Sequence, residues 1–135
     1  SAAARIACLA AEHLLDRALE HFGFYGLPPS PITVWSEARC KAFVDRIKAA
    51  DRSCTSLIAG HEATQWTLLQ AELGAWLAAL PKPAGIMACD DVRARHVLEV
   101  CRGLALRVPH DVAVIGVDDD FGRAIADPSG ICGKI

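Results

Sequence analysis

At 135 residues the chain fits one domain, or one lobe of a larger protein. Its net charge of −2, from 14 basic and 16 acidic side chains, argues against a chain that grips nucleic acid by neutralising phosphates. Hydrophobic residues make up 53% and aromatic ones only 6%, so the core is built from Ala, Leu, Val and Ile; no apolar run reaches the roughly 18 residues of a membrane-spanning helix.

The elements follow in chain order. Residues 4–19 read as a helix, with Leu9, Leu14, Leu15, Ala18 and Leu19 facing inward. Residues 21–26 form a strand, and 27–34 a loop marked by Pro28, Pro29 and Pro31. Ser36 is the expected cap of a helix over 36–50, with Ala42, Phe43, Ile47 and Ala50 inward. A second strand covers 55–59. Thr64 is the expected cap of a helix over 65–80, which buries Leu68, Leu69, Leu73, Trp76, Leu77 and Leu80 and stops at Pro81-Lys82-Pro83. A third strand spans 85–89, and Asp90 or Asp91 caps a helix running to about 104. The fourth strand is 112–117. Residues 121–135 are poorly patterned.

The order α-β-α-β-α-β-α-β, with crossovers of helical length, predicts an α/β fold, a three-layer doubly wound parallel sheet. The chain opens on a helix and ends in a glycine-rich tail, so the expectation is a single lobe over residues 1–135, cut from a longer protein. The start, Ser1-Ala2-Ala3-Ala4-Arg5, has no basic region followed by an apolar core, so no secretory signal is expected. Six cysteines (Cys8, Cys40, Cys54, Cys89, Cys101, Cys132) form no C-x-x-C pair and are expected to be free thiols in a reducing cytoplasm.

Open α/β sheets bind ligands outside the carboxyl ends of their strands. Carboxylates collect there: Asp90 and Asp91 after the third strand, Asp118, Asp119 and Asp120 after the fourth. Capping explains one or two of them. Five together point to holding a divalent cation or to accepting hydrogen bonds from ligand hydroxyls. The cation reading fits poorly. A phosphoacceptor receiver needs a lysine at a later strand end, and Lys41, Lys48, Lys82 and Lys134 lie elsewhere. The phosphatase motif D-x-D-x-[TV] is not matched by Asp118-Asp119-Asp120-Phe121-Gly122. Arg39, on the first turn after the proline loop, is a planar donor able to grip two ligand oxygens. Trp35 and Trp66 begin the helices after the first two strands; large rings are usually core, but Trp66, just past Gly60-His61-Glu62, sits where a ring can lie against the apolar face of a sugar. The five histidines show no metal spacing, and no Gly-rich phosphate loop follows a strand; Gly23 and Gly26 do not complete G-x-G-x-x-G.

Four stretches carry a resemblance. Residues 10–17 (AAEHLLDR) followed by 21–26 (HFGFYG) resemble A-x-x-H-L-x-x-R-G-x-x-x-I-A-F-x-G. Residues 35–39 (WSEAR) with Phe43 resemble S-x-x-R-x-x-G-F. Residues 83–91 (PAGIMACDD) resemble P-T-A-I-x-A-x-N-D. Residues 108–119 (VPHDVAVIGVDD) are similar to V-P-x-D-V-x-V-I-G-F-D-D, and Ala126-Asp127-Pro128 to the segment that follows it. These are patterns of lac-repressor-type transcriptional regulators. Residues 24–28 and 93–101 are most similar to the branch that regulates xylose operons.

The resemblance implies the second lobe of a type 1 periplasmic-binding-protein-like effector domain, in which two lobes close over a small ligand. Carried over position by position, it puts the effector-binding arginine at Arg39, the asparagine before the Asp at Asp90, the first aspartate after I-G-F at Asp118, and the sugar-stacking ring at Trp66. Asp90 in place of an amide is a departure that bears on ligand choice; Ala18 in place of a glycine affects only how the first helix ends. Together with Trp35 and Asp119 these are the candidate ligand contacts; no catalytic residue, metal ligand or cofactor is expected. The implied effector is a monosaccharide such as xylose. The implied assembly is a cytoplasmic homodimer without membrane attachment that reaches DNA through a domain absent from this chain. The rival reading is an exported sugar-binding receptor of an uptake system, which shares the fold.

Overall fold

The computed structural model describes residues 1–117. Four parallel strands lie in the order β2-β1-β3-β4: β1 (His21–Gly26), β2 (Cys54–Ile58), β3 (Ala84–Ala88) and β4 (Val112–Ile115). Helices α1 (Ala2–Leu15) and α2 (Val34–Ala49) cover one face; α3 (Trp66–Ala79) and α4 (Asp91–Gly103) cover the other. The chain is therefore the expected three-layer α/β unit.

Strand alternation divides the core. Phe22, Phe24, Met87 and Ile115 face α1 and α2, whereas Tyr25, Ile86, Val112 and Val114 face α3 and α4. Every residue of β1, β3 and β4 is buried. β2 lies at an edge and exposes Thr55 and Ser56, so its polar residues need no partner layer.

Several expectations are corrected. α1 stops at Leu15, with Ala18 exposed beyond it. Its buried stripe is Ala7, Ala10, Ala11 and Leu14, spaced i, i+3, i+4, i+7. Leu9 falls off that stripe and is 46% exposed. Small alanines let α1 lie close against α2. Ala50 and Leu68 also point outward, Leu68 because Leu69, Leu73 and Leu77 already define the buried face of α3. Ser36 does not cap α2, which starts two residues earlier behind Thr33. Thr64 caps nothing either: a short 3-10 turn, Ala63–Gln65, leads into α3, and Glu62 and Gln65 form its reciprocal capping box. Asp90 does cap α4, its Oδ1 accepting from the Arg93 N–H at 2.7 Å.

Gly23 owes its identity to packing. A Cβ there would stand 2.8 Å from the Trp76 ring and from Ile86 Cδ1. Trp76 lies across β1, its ring 6.4 Å from that of Tyr25. Gly23→Ala is expected to lower unfolding free energy by about 1–3 kcal/mol through overpacking. Urea denaturation measures it, and the penalty should shrink in a Trp76→Leu background, because the two sites share the same space.

Candidate functional site

The order β2-β1-β3-β4 sends the connection after β1 one way, to β2, and the connection after β3 the other way, to β4, so a crevice opens outside the carboxyl ends of β1 and β3. The register puts the strand ends level: Gly26 pairs with Ile58, and Tyr25 with Ala88. Around this rim the first turn of α2 does the tying. The Ser36 hydroxyl, buried, accepts the Leu27 N–H at 3.2 Å and anchors the loop leaving β1. Arg39, only 6% exposed, donates from Nη1 to the Cys89 carbonyl at 2.6 Å. Its guanidinium sits 4.8 Å from the centre of the Trp35 ring, and Trp35 Nε1 donates to the Ile32 carbonyl at 3.0 Å. Arg39 and Trp35 thus stack, and the pair reaches the residue immediately before Asp90.

Asp90 is itself buried, at 7% exposure. Besides capping α4, its Oδ2 lies 3.8 Å from Arg93 Nη1. The structure therefore brings Trp35, Arg39 and Asp90 to one rim. Trp66 belongs to the other layer: it is half-buried against the α3–α4 core, its ring 5.2 Å from that of His96. Asp118, Asp119 and Asp120, as well as Cys132, fall outside the described residues.

A cleft of about 770 Å³ adjoins the rim on the β2 side. One wall is the loop after β1, including Leu27, Pro28 and Thr33; the other is the loop after β2, including His61 and Gln65; Leu69 and Arg93 complete it. Both walls are braced. Thr33 Oγ1 donates to the Pro28 carbonyl at 2.8 Å, and Gly60 N–H donates to Glu72 Oε1 at 2.8 Å. The sequence reading missed this cleft and Arg93. One signal was available: an arginine in the first turn of a helix opposes the positive end of the helix dipole and calls for an anionic or oxygen-rich neighbour.

Burial governs the ionisable groups. It pushes the Tyr25 hydroxyl up to about 12, with Arg93 pulling the other way. It raises the Cys89 thiol to about 12, assisted by Asp90, and the five described cysteines are free thiols. A thiol held protonated is a poor nucleophile. Among the described residues no group of His, Cys, Asp and Glu gathers as metal ligands would.

Burial lowers His21 and His96 below the ordinary 6.5. His21 Nε2 meets Thr55 Oγ1 at 3.1 Å where β1 begins. Because the folded protein holds these rings neutral, the unfolded chain takes up protons first as pH falls. Their contribution to stability is complete above about pH 6.5 and is lost as pH falls from there through the lowered folded values. The thermal midpoint is expected to drop between pH 7.5 and 5.5, and His21→Asn should flatten that drop. An equal slope in the variant would count against His21 as a source.

With fold and rim in place, the chain belongs to the periplasmic binding protein-like domain family, whose model matches residues 11–130. At 37% identity over 110 residues it is similar to the xylose operon regulatory protein of Escherichia coli strain K12, a match covering 80% of this chain and 28% of that protein. Among solved structures, the xylose-binding transcription activator xylR aligns with a TM-score of 0.77 and 34% identity over 88% of this chain and 31% of that one. A LacI-family transcriptional regulator from Arthrobacter sp. FB24, in complex with lactose, aligns with a TM-score of 0.69 and 29% identity over 86% of this chain and 42% of that one. These relatives are transcriptional regulators rather than enzymes. The motif resemblance to lac-repressor-type and xylose-operon regulators is borne out, and the chain spans only 28% of the length of the curated relative.

Proposed function

We propose that this chain is one lobe of the effector-binding domain of a sugar-responsive transcriptional regulator, with a pentose such as xylose as effector. The observation that carries the reading is the alignment over 88% of the chain with a xylose-binding transcription activator, joined to a rim that gathers Arg39, Trp35 and Asp90 at the strand ends. In this reading the sugar lies between this lobe and a second one. Arg39 donates to its ring and hydroxyl oxygens, while Asp90, Asp118 and Asp119 accept hydroxyl protons. Trp66 or Trp35 offers a ring to the sugar's apolar face.

A ligand that touches both lobes binds the closed arrangement more tightly and shifts the population toward it. Closure in a cytoplasmic homodimer moves the two subunits' lobes and alters the DNA affinity of a domain elsewhere in the polypeptide, a coupling typically of about 1–3 kcal/mol. Asp90, whose carboxylate oxygens accept hydrogen bonds, favours a ligand that presents a hydroxyl proton there. Deoxy analogues are expected to bind poorly, because they leave buried polar groups unpaired.

The test is calorimetric titration of the full-length polypeptide with pentoses and hexoses, followed by a DNA-binding assay with and without the sugar that binds. Saturable binding that changes DNA affinity supports the regulator. Binding by a polypeptide that carries an export signal and no DNA-binding domain would replace it with the uptake receptor, and binding of no sugar would sink both.

A further inference from the structure

We propose that Arg93 is a ligand-contacting and specificity-determining residue, its guanidinium fork taking two adjacent oxygens of a small sugar in the cleft beside the rim. This rests on the sugar-sensor reading and extends it to a residue to which the motif resemblance assigns no ligand contact.

Two charged side chains line the cleft, Glu62 and Arg93. Glu62 is exposed, and its carboxylate is occupied in capping its own turn. The Arg93 side chain is only 18% exposed. Among the described residues its guanidinium makes no hydrogen bond, and its one charged neighbour is Asp90 Oδ2 at 3.8 Å, beyond hydrogen-bond reach. Its always-charged N–H donors line the open cleft and remain available to the oxygens of a ligand there. The group also stands at the amino end of the 13-residue α4, where the helix dipole disfavours a cation. The Asp90 charge offsets part of that cost.

A buried orphan lies close by. Tyr25, fully buried under the same layer, has a hydroxyl without a partner among the described residues, and Arg93 is the strongest charge acting on it. Leu69, Leu27 and Pro28 supply apolar surface in the same cleft. An apolar wall with one planar cationic donor suits a pyranose or an open pentose chain, with a carbon face against the wall and neighbouring oxygens on the fork. Two ligand groups share that chemistry: the vicinal hydroxyls of an aldose and the carboxylate of the matching aldonate.

The experiment is titration calorimetry on the full-length polypeptide with D-xylose, its 2-, 3- and 4-deoxy analogues and D-xylonate, for wild type, Arg93→Met and Arg93→Lys. Wild type should lose about ten- to a hundred-fold in affinity for the deoxy sugar that lacks the contacted hydroxyl. Arg93→Met should lose a similar factor for xylose and almost nothing further for that analogue. Arg93→Lys, with the charge but without the fork, should fall between. Wild-type preference for xylonate, abolished in Arg93→Met, assigns the carboxylate instead of the diol. The inference is overturned if Arg93→Met binds xylose as wild type does, or if it weakens every ligand by one common factor and keeps the wild-type deoxy penalties. Should wild type bind neither pentoses nor xylonate, the sugar-sensor reading itself fails, an outcome readable without any variant.

Discussion

Arg39→Ala is expected to abolish saturable sugar binding and to remove about 2 kcal/mol of stability as well. The two losses have different origins. Stability falls because the buried Cys89 carbonyl loses a charge-assisted donor at 2.6 Å, and the Trp35 ring loses the cation stacked on it. Binding falls because the same hydrogen bond holds the backbone just before Asp90, at the point where β1 and β3 part. Arg39→Lys separates the two effects: it keeps a charge near Trp35 but cannot reach two acceptors at once. Urea denaturation and calorimetric titration, run on both variants, give the comparison. Undiminished sugar affinity in folded Arg39→Ala would remove Arg39 from the site and leave it a brace of the sheet alone.

The largest loss of stability is expected from Phe43→Ala, about 3–5 kcal/mol. Phe43 is fully buried on α2, its ring 6.0 Å from that of Phe24 on β1. It packs in one cluster with Phe22, Phe24, Met87 and Ile115, whose strands are fixed by the sheet, so the cavity can collapse only in part. The position also bears on the site: Arg39 stands one helical turn before Phe43 on the same buried face. Letting α2 shift would carry the guanidinium away from Cys89, so reduced sugar affinity should accompany the instability. Phe43→Leu, closer in volume, is expected to cost less than about 1.5 kcal/mol and to bind normally. A Phe43→Ala cost below about 1 kcal/mol in urea would show that α2 is held by other contacts.

Elements of this fold were legible where local pattern and tertiary burial agree. The runs at 84–88 and 112–115 are apolar throughout because both their faces are covered, and Asp90 announces α4 because a cap acts on backbone N–H groups within its own turn. The reading slipped where a neighbour decides the outcome. Leu9 and Leu68 look like core residues, yet alanines and other leucines at helical spacing occupy the buried stripes. Ser36 has a good capping side chain, but the N–H it satisfies belongs to Leu27, nine residues away.

The candidate site divides along the same line. Composition, strand-then-carboxylate order and the motif at residues 108–119 were enough to determine the α/β class and the family, and they direct the proposed site to the strand ends, since these depend on periodicity and short-range spacing. Only the tertiary structure decided that Arg39 grips the carbonyl of Cys89, fifty residues on, and that Trp66 packs with His96. The same holds for Arg93, which ends in a cleft walled by two loops that the sequence keeps some thirty residues apart. Those facts rest on which side chains the strand order β2-β1-β3-β4 brings level, a long-range pairing that no local pattern encodes.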